Sequence, residues 1–191
     1  MANQDAAFGL KAIGKVGQNR DNQGLSEYGI AASSSAIYQN DPVMMAATGK
    51  IIVGTAAAVL LGSLNGVFYT DASTSKPTWA NHLNASNTAT DIVGFVSDDP
   101  YERFEIQSNN AGASNANDVF AVADIAYAAG STPDYISGVE LNDSTIANGS
   151  SATLQILGAS KDPSNNDVGS ANVNWVVRIN EHELDMNVNG V

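Results

Sequence analysis

The chain contains no cysteine, which excludes disulfides, thiolate metal sites and cysteine nucleophiles together. Basic residues are scarce. Lys+Arg 8 stand against Asp+Glu 20, a formal net charge of −12, and such a field repels nucleic-acid phosphate and anionic lipid alike. Neither nucleic acid nor a membrane is an expected partner. The longest apolar run, Ala56–Leu61, closes at Gly62 and Ser63, far short of the ~20 residues that cross a bilayer. The opening stretch has no apolar segment of the secretory type, so synthesis in a cytoplasm is expected. Sustained helical periodicity is also missing. Charged residues reach only 15%, so the surface is polar through Asn, Ser, Thr and Gly rather than through charge.

What is present is a series of short β-branched and aromatic runs separated by turn clusters, the pattern of an all-β protein. Strands are expected near Tyr28–Ala32, Ala36–Gln39, Val43–Ala46, Lys50–Val53, Val67–Tyr69, Ile92–Ser97, Phe104–Gln107, Val119–Ala123, Val139–Leu141, Thr153–Ala159 and Val173–Asn180. Asn40-Asp41-Pro42, Asn65-Gly66 and Asp98-Asp99-Pro100 supply the turns. In the last strand Val173, Trp175, Val177 and Ile179 share one face, which places Trp175 in the core. Ala121–Tyr127 also suits a helical turn. The expected fold is all-β: a small antiparallel β-barrel or sandwich with an extended N-terminal arm and little helix. Residues 1–25 read as the arm, since they carry Lys11, Lys15 and Arg20 and few large apolar groups, and residues 26–191 read as a single β-rich domain. Thr70–Thr90 reads as a long polar loop holding Trp79 and His82.

Motifs with chemistry fail in detail. Gly9-Leu-Lys-Ala-Ile-Gly14-Lys15-Val16 approaches a nucleotide-binding P-loop, yet Val16 offers no oxygen to magnesium and the residues after it are too polar and glycine-broken for the phosphate-holding helix. No cofactor is expected. With two histidines and no G-x-S-x-G elbow, a serine-hydrolase triad has no support. His182 lies between Glu181 and Glu183 and reads as a solvated histidine; strand neighbours point to opposite faces, so the three do not converge on a metal. Asp162–Val173 lacks the glycine and closing glutamate of a calcium loop and reads as a polar hairpin connection. Asp98 and Asp99 suit a turn better than an acid–base pair. The chain is not expected to be an enzyme; a hydrolase built from Asp98, Asp99 and His182 is the rival of that class.

Aromatic groups at strand ends and in loops are the better lead, because such residues are enriched at interfaces. Tyr38, Trp79 and Tyr101 are the interface candidates, together with Lys11, Lys15 and Arg20 of the arm. The order of segments carries a resemblance. Gly14-Lys-Val-Gly17, Tyr38–Val43, Leu61–Asp71 with Lys76–Trp79, Phe95–Pro100, Ser137–Asn142 and Val177–His182 together resemble small virion proteins encoded beside the capsid genes of marine tailed bacteriophages. The resemblance spans most of the chain and implies a capsid decoration, or cement, protein: a β-rich domain on the outside of the assembled shell. Its implied partners are the major capsid protein and copies of itself, as a homo-oligomer whose trimer would suit a threefold position. The arm is then the expected fastener, and deleting residues 2–24 is expected to leave a folded domain. The alternatives are a tail or head-fibre component, or a carbohydrate-binding module using Trp79 and Tyr101 as sugar platforms.

Overall fold

The computed structural model describes residues 3–16, 24–31, 35–109, 115–149 and 151–185. Its strands, in chain order, are β1 (Lys11–Lys15), β2 (Ser26–Gly29), β3 (Pro42–Ala46), β4 (Lys50–Val53), β5 (Gly62–Thr70), β6 (Pro77–Ala80), β7 (Val93–Ser97), β8 (Glu102–Gln107), β9 (Val122–Ala123), β10 (Ile125–Ala126), β11 (Glu140–Leu141), β12 (Leu154–Ala159) and β13 (Asn174–Ile179). Two single-turn 3-10 helices, Ala116–Asp118 and Asp143–Thr145, are the helical content among the described residues. The fold is all-β, and the named strands pair antiparallel throughout.

The strands form two principal sheets. The first has the order β2-β7-β5-β3-β4, with β6 added on β5. Its two ends meet where Ile30 bridges Ile51, so the sheet wraps around its own contents. The second has the order β1-β8-β13-β12-β9 and is joined by the small β10–β11 hairpin through a bridge from Ser108 to Leu141. Each sheet carries its own buried apolar cluster. Ile30, Ile37, Val43, Ile51, Leu64 and Val96 belong to the first. Phe104, Leu141, Leu154, Trp175, Val177 and Ile179 belong to the second. Each such side chain contributes about 1.5–3 kcal/mol when fully buried. Two cores therefore stand side by side within the β-rich body.

The chain joins them by sending neighbouring residues to opposite sides. Leu60 is buried in the second cluster and Leu61 in the first. In β3, Val43 lies in the first cluster while Met44 packs against the second, as alternation along a strand requires. Backbone bonds add to the seam: Leu60 N–H donates to Glu181 O at 2.9 Å, and Ser137 N–H to Gln39 O at 2.9 Å.

The expected extended arm over residues 1–25 is built into the body along residues 3–16. Leu10 is 0% exposed inside the second cluster, and β1 completes the second sheet by pairing with β8. Upstream, Gln107 and Asn165 donate side-chain N–H bonds to Gln4 O at 2.9 and 2.7 Å, and Ala6 N–H donates to the Gln107 side chain at 2.8 Å. The crossing between sheets needs Gly9: its φ is +72°, and a Cβ there would collide with Asn40 O and Ser137. Residues 3–16 are thus part of the body, and a 2–24 deletion removes core. Two smaller expectations change as well. The loop Thr70–Thr90 contains β6, and Ala121–Tyr127 forms β9 and β10 rather than a helical turn.

Candidate functional site

Register determines which side chains share the outer face of the first sheet. Gly29 opposes Val93, Val93 opposes Phe68, and Phe68 opposes Trp79, a row running across β2, β7, β5 and β6. Phe95, two residues along β7 from Val93, lies on the same face between Glu27 and Gly66. Val67, Tyr69, Gly94 and Val96 alternate with these toward the interior. A shift in register between Leu64 and Gly66 leaves Asn65 as the extra residue of a bulge and brings Gly66 into line with Phe95.

The result is a shelf of rings. Trp79 packs on Phe95 with centroids 4.5 Å apart and planes at 41°, and Phe68 flanks it at 6.4 Å. A Cβ on Gly66 would touch the indole at 3.6 Å, so the ring lies across the bare backbone of that glycine. Yet Trp79 stays 59% exposed and Phe68 is exposed too. Among the strand residues of this row and the Phe95 row, Glu27 is the one charged group, on a chain of net charge −12. β6 has a neighbour on one side only, β5, among the named strands. A sparsely charged aromatic face beside a sheet edge can hold a partner by apolar contact and by strand addition.

The other candidates fall elsewhere. Lys11 extends from β1 with its Nζ 4.0 Å from Glu105. Lys15 forms a tight pair with Asp99, Nζ to Oδ2 2.8 Å, and only 13% and 19% of the two side chains are exposed. Arg20 lies outside the described residues. Tyr38 is half-buried against a stacked pair, His82 over Tyr135 at 3.7 Å and 3°. That ring cluster ties the segment around Tyr135 to the first sheet, so Tyr38 braces the seam rather than projecting from it. Tyr101 is exposed, at the turn after Asp98-Asp99-Pro100, and shares no ring contact with Trp79.

His182 corrects a further expectation. It is 1% exposed instead of solvated, its Nδ1 accepts from Leu184 N–H at 3.0 Å, and burial pushes its pKa down. Asp98, Asp99 and Asp185 act on it electrostatically in the opposite direction. Asp98 in turn accepts from Tyr28 Oη at 2.6 Å and Ser26 Oγ at 2.9 Å, and burial with Asp98 raises Tyr28 to about 12. Asp98 and Asp99 thus act on His182 through their charge, while Asp98 is hydrogen-bonded to Tyr28 and Ser26 and Asp99 is paired with Lys15. Among the described residues no group of three or more His, Asp or Glu is placed to hold a metal. The sequence reading missed Phe68 and Phe95 as members of the shelf, because the rings meet only through the register of β5 with β6 and β7.

No protein-family model, curated protein or solved structure matches the chain.

Proposed function

We propose that this chain is a virion structural protein, a capsid decoration protein that binds the outside of an assembled phage shell and bridges neighbouring capsomers. The observation that carries the reading is the Trp79–Phe68–Phe95 shelf: large rings left in water on an otherwise acidic, closely stitched body. Interfaces concentrate aromatic residues and exclude charge at their centres, and truncation of a central Trp is often the costliest change in them. The partner is the major capsid protein. The remaining surface, at −12 overall, keeps densely crowded copies apart and soluble. Because residues 3–16 are built into the body, the shelf takes over the fastening role that the sequence suggested for an arm.

The test is co-sedimentation of purified protein with shells assembled without it. Wild type should bind at a saturating stoichiometry, and Trp79→Ala should remain folded by circular dichroism and lose most binding. Undiminished binding by a Phe68→Ala/Trp79→Ala double variant, or no binding by the wild type, overturns the proposal. The indole also suits the face of a sugar ring, which is the reading of a carbohydrate-binding module. Host polysaccharide that shifts Trp79 fluorescence, with no uptake by shells, moves the protein to that class.

A further inference from the structure

Where β1 meets the link between the sheets, three ionisable groups converge that shell binding does not use. Lys15 ends β1 and stands directly opposite Glu102, the first residue of β8. Such cross-strand neighbours have Cβ atoms about 4.5–5.5 Å apart. Asp99 reaches the same point from the turn before β8: its carbonyl accepts from Glu102 N–H at 2.9 Å, and its Oδ2 lies 2.8 Å from Lys15 Nζ. The other carboxylate oxygen, Oδ1, accepts from Tyr101 N–H at 2.8 Å. Glu102 is 6% exposed. A lysine so nearly covered is uncommon, and here it is paired with one carboxylate and stands across the strands from a second that feels its charge.

We propose that Lys15 and Asp99 condense to a side-chain amide, an isopeptide bond, with Glu102 carrying the proton between them. Burial raises the Glu102 pKa, with the charge of Asp99 adding to it and Lys15, Gly14 N–H and Arg103 opposing, so Glu102 is suited to take up and return a proton. Removal from water also narrows the gap between the ammonium–carboxylate pair and the neutral amine–acid pair, because only the former loses hydration of charge. The ammonium proton passes through Glu102 to Oδ2 of Asp99. The neutral Nζ attacks Cγ, the new C–N bond forms, and negative charge gathers on Oδ1, where the Tyr101 N–H already donates. The C–Oδ2 bond then breaks, Glu102 relays the second amine proton to the departing hydroxyl, and water leaves. One ammonium and one carboxylate become one amide and one water, with no oxidant, reductant or co-reactant. Glu102 is returned to its starting state.

The bond would fix β1, and with it the Leu10 side chain in the second core, to the link between the two sheets. It does not depend on the shell as partner. Its test is the intact mass of the purified full chain, followed by tryptic mapping. The expected result is a mass lower than the sequence by one water, with a peptide in which residues 12–20, uncut at Lys15, are joined to the segment ending at Arg103. Lys15→Arg and Glu102→Gln should restore the full mass. Asp99→Asn should lose one ammonia instead, since an amide carbon accepts the same attack. A wild-type chain at its full sequence mass and cleaved normally at Lys15 overturns the proposal, as does a water loss that maps to another residue. The wild-type measurement decides even where a variant fails to fold.

Discussion

The two tryptophans of this chain occupy opposite situations. Trp175, on β13, is 0% exposed among Phe104, Leu154 and Val177; Trp79, on β6, is 59% exposed on the outer face of the other sheet. Burial of the first is what an acidic, sparsely charged chain uses to hold a sheet together. The second leaves a comparable ring in water, where its ring contacts are with Phe95, Phe68 and the backbone of Gly66. A ring kept in water on a face where Glu27 is the one charged residue of its two strand rows is the feature on which the proposed contact rests.

The largest expected effect falls on the core member of the pair. Trp175→Ala should lower unfolding free energy by about 3–5 kcal/mol in urea titration, and a loss below about 1 kcal/mol would break the contrast. Leu10→Ala should cost about 2–5 kcal/mol, which separates a built-in strand from an arm; a near-neutral result would restore the arm.

Asp41 sharpens the comparison at the seam. It is buried there and accepts from Tyr38 N–H at 2.7 Å, and burial raises its pKa to about 6 from 3.8. A carboxyl raised on folding favours the folded state fully below its unfolded value and loses that advantage as pH rises through the folded one. Stability from Asp41 should therefore fall between about pH 4 and pH 6, on the order of 1–3 kcal/mol. The gain of Asp41→Asn relative to wild type should grow over that interval, read from chemical denaturation at pH 4 and pH 7. Glu140, also raised to about 6, pushes in the same direction in both proteins and cancels in the difference. A pH-independent difference would show that Asp41 is not the group titrating. The smallest effect on stability is expected at Trp79→Ala, about 1 kcal/mol or less.

Several strands were legible in sequence from both halves of the chain. Alternation from Val173 to Ile179 showed the buried face of β13 directly, and the strands at Val43–Ala46, Lys50–Val53 and Phe104–Gln107 followed from β-branched runs bounded by turn residues. Strand β1 escaped because its sequence, Lys-Ala-Ile-Gly-Lys, has a bulge between Ala12 and Gly14, and its partners Glu102–Glu105 are remote in sequence. Strand β6, Pro-Thr-Trp-Ala, is too short to show a period and sits among loop residues. The doubling of the core was hidden for another reason. Leu60 and Leu61 are adjacent and identical, and only tertiary contacts send them to different clusters. Likewise His182 is covered by chain that local pattern cannot see, through the bridge to Leu60. At the surface, Trp79 was picked out as an exposed aromatic, whereas its partners Phe68 and Phe95 needed the register of three strands.

The measurement that tests the central claim most directly is cryo-electron microscopy of the particles to which the proposal assigns this chain. The account expects ordered copies on the outside of the shell, with Trp79, Phe68 and Phe95 turned into a contact with capsomers. Copies on the shell with that face open to solvent, or virions without the chain, would contradict it.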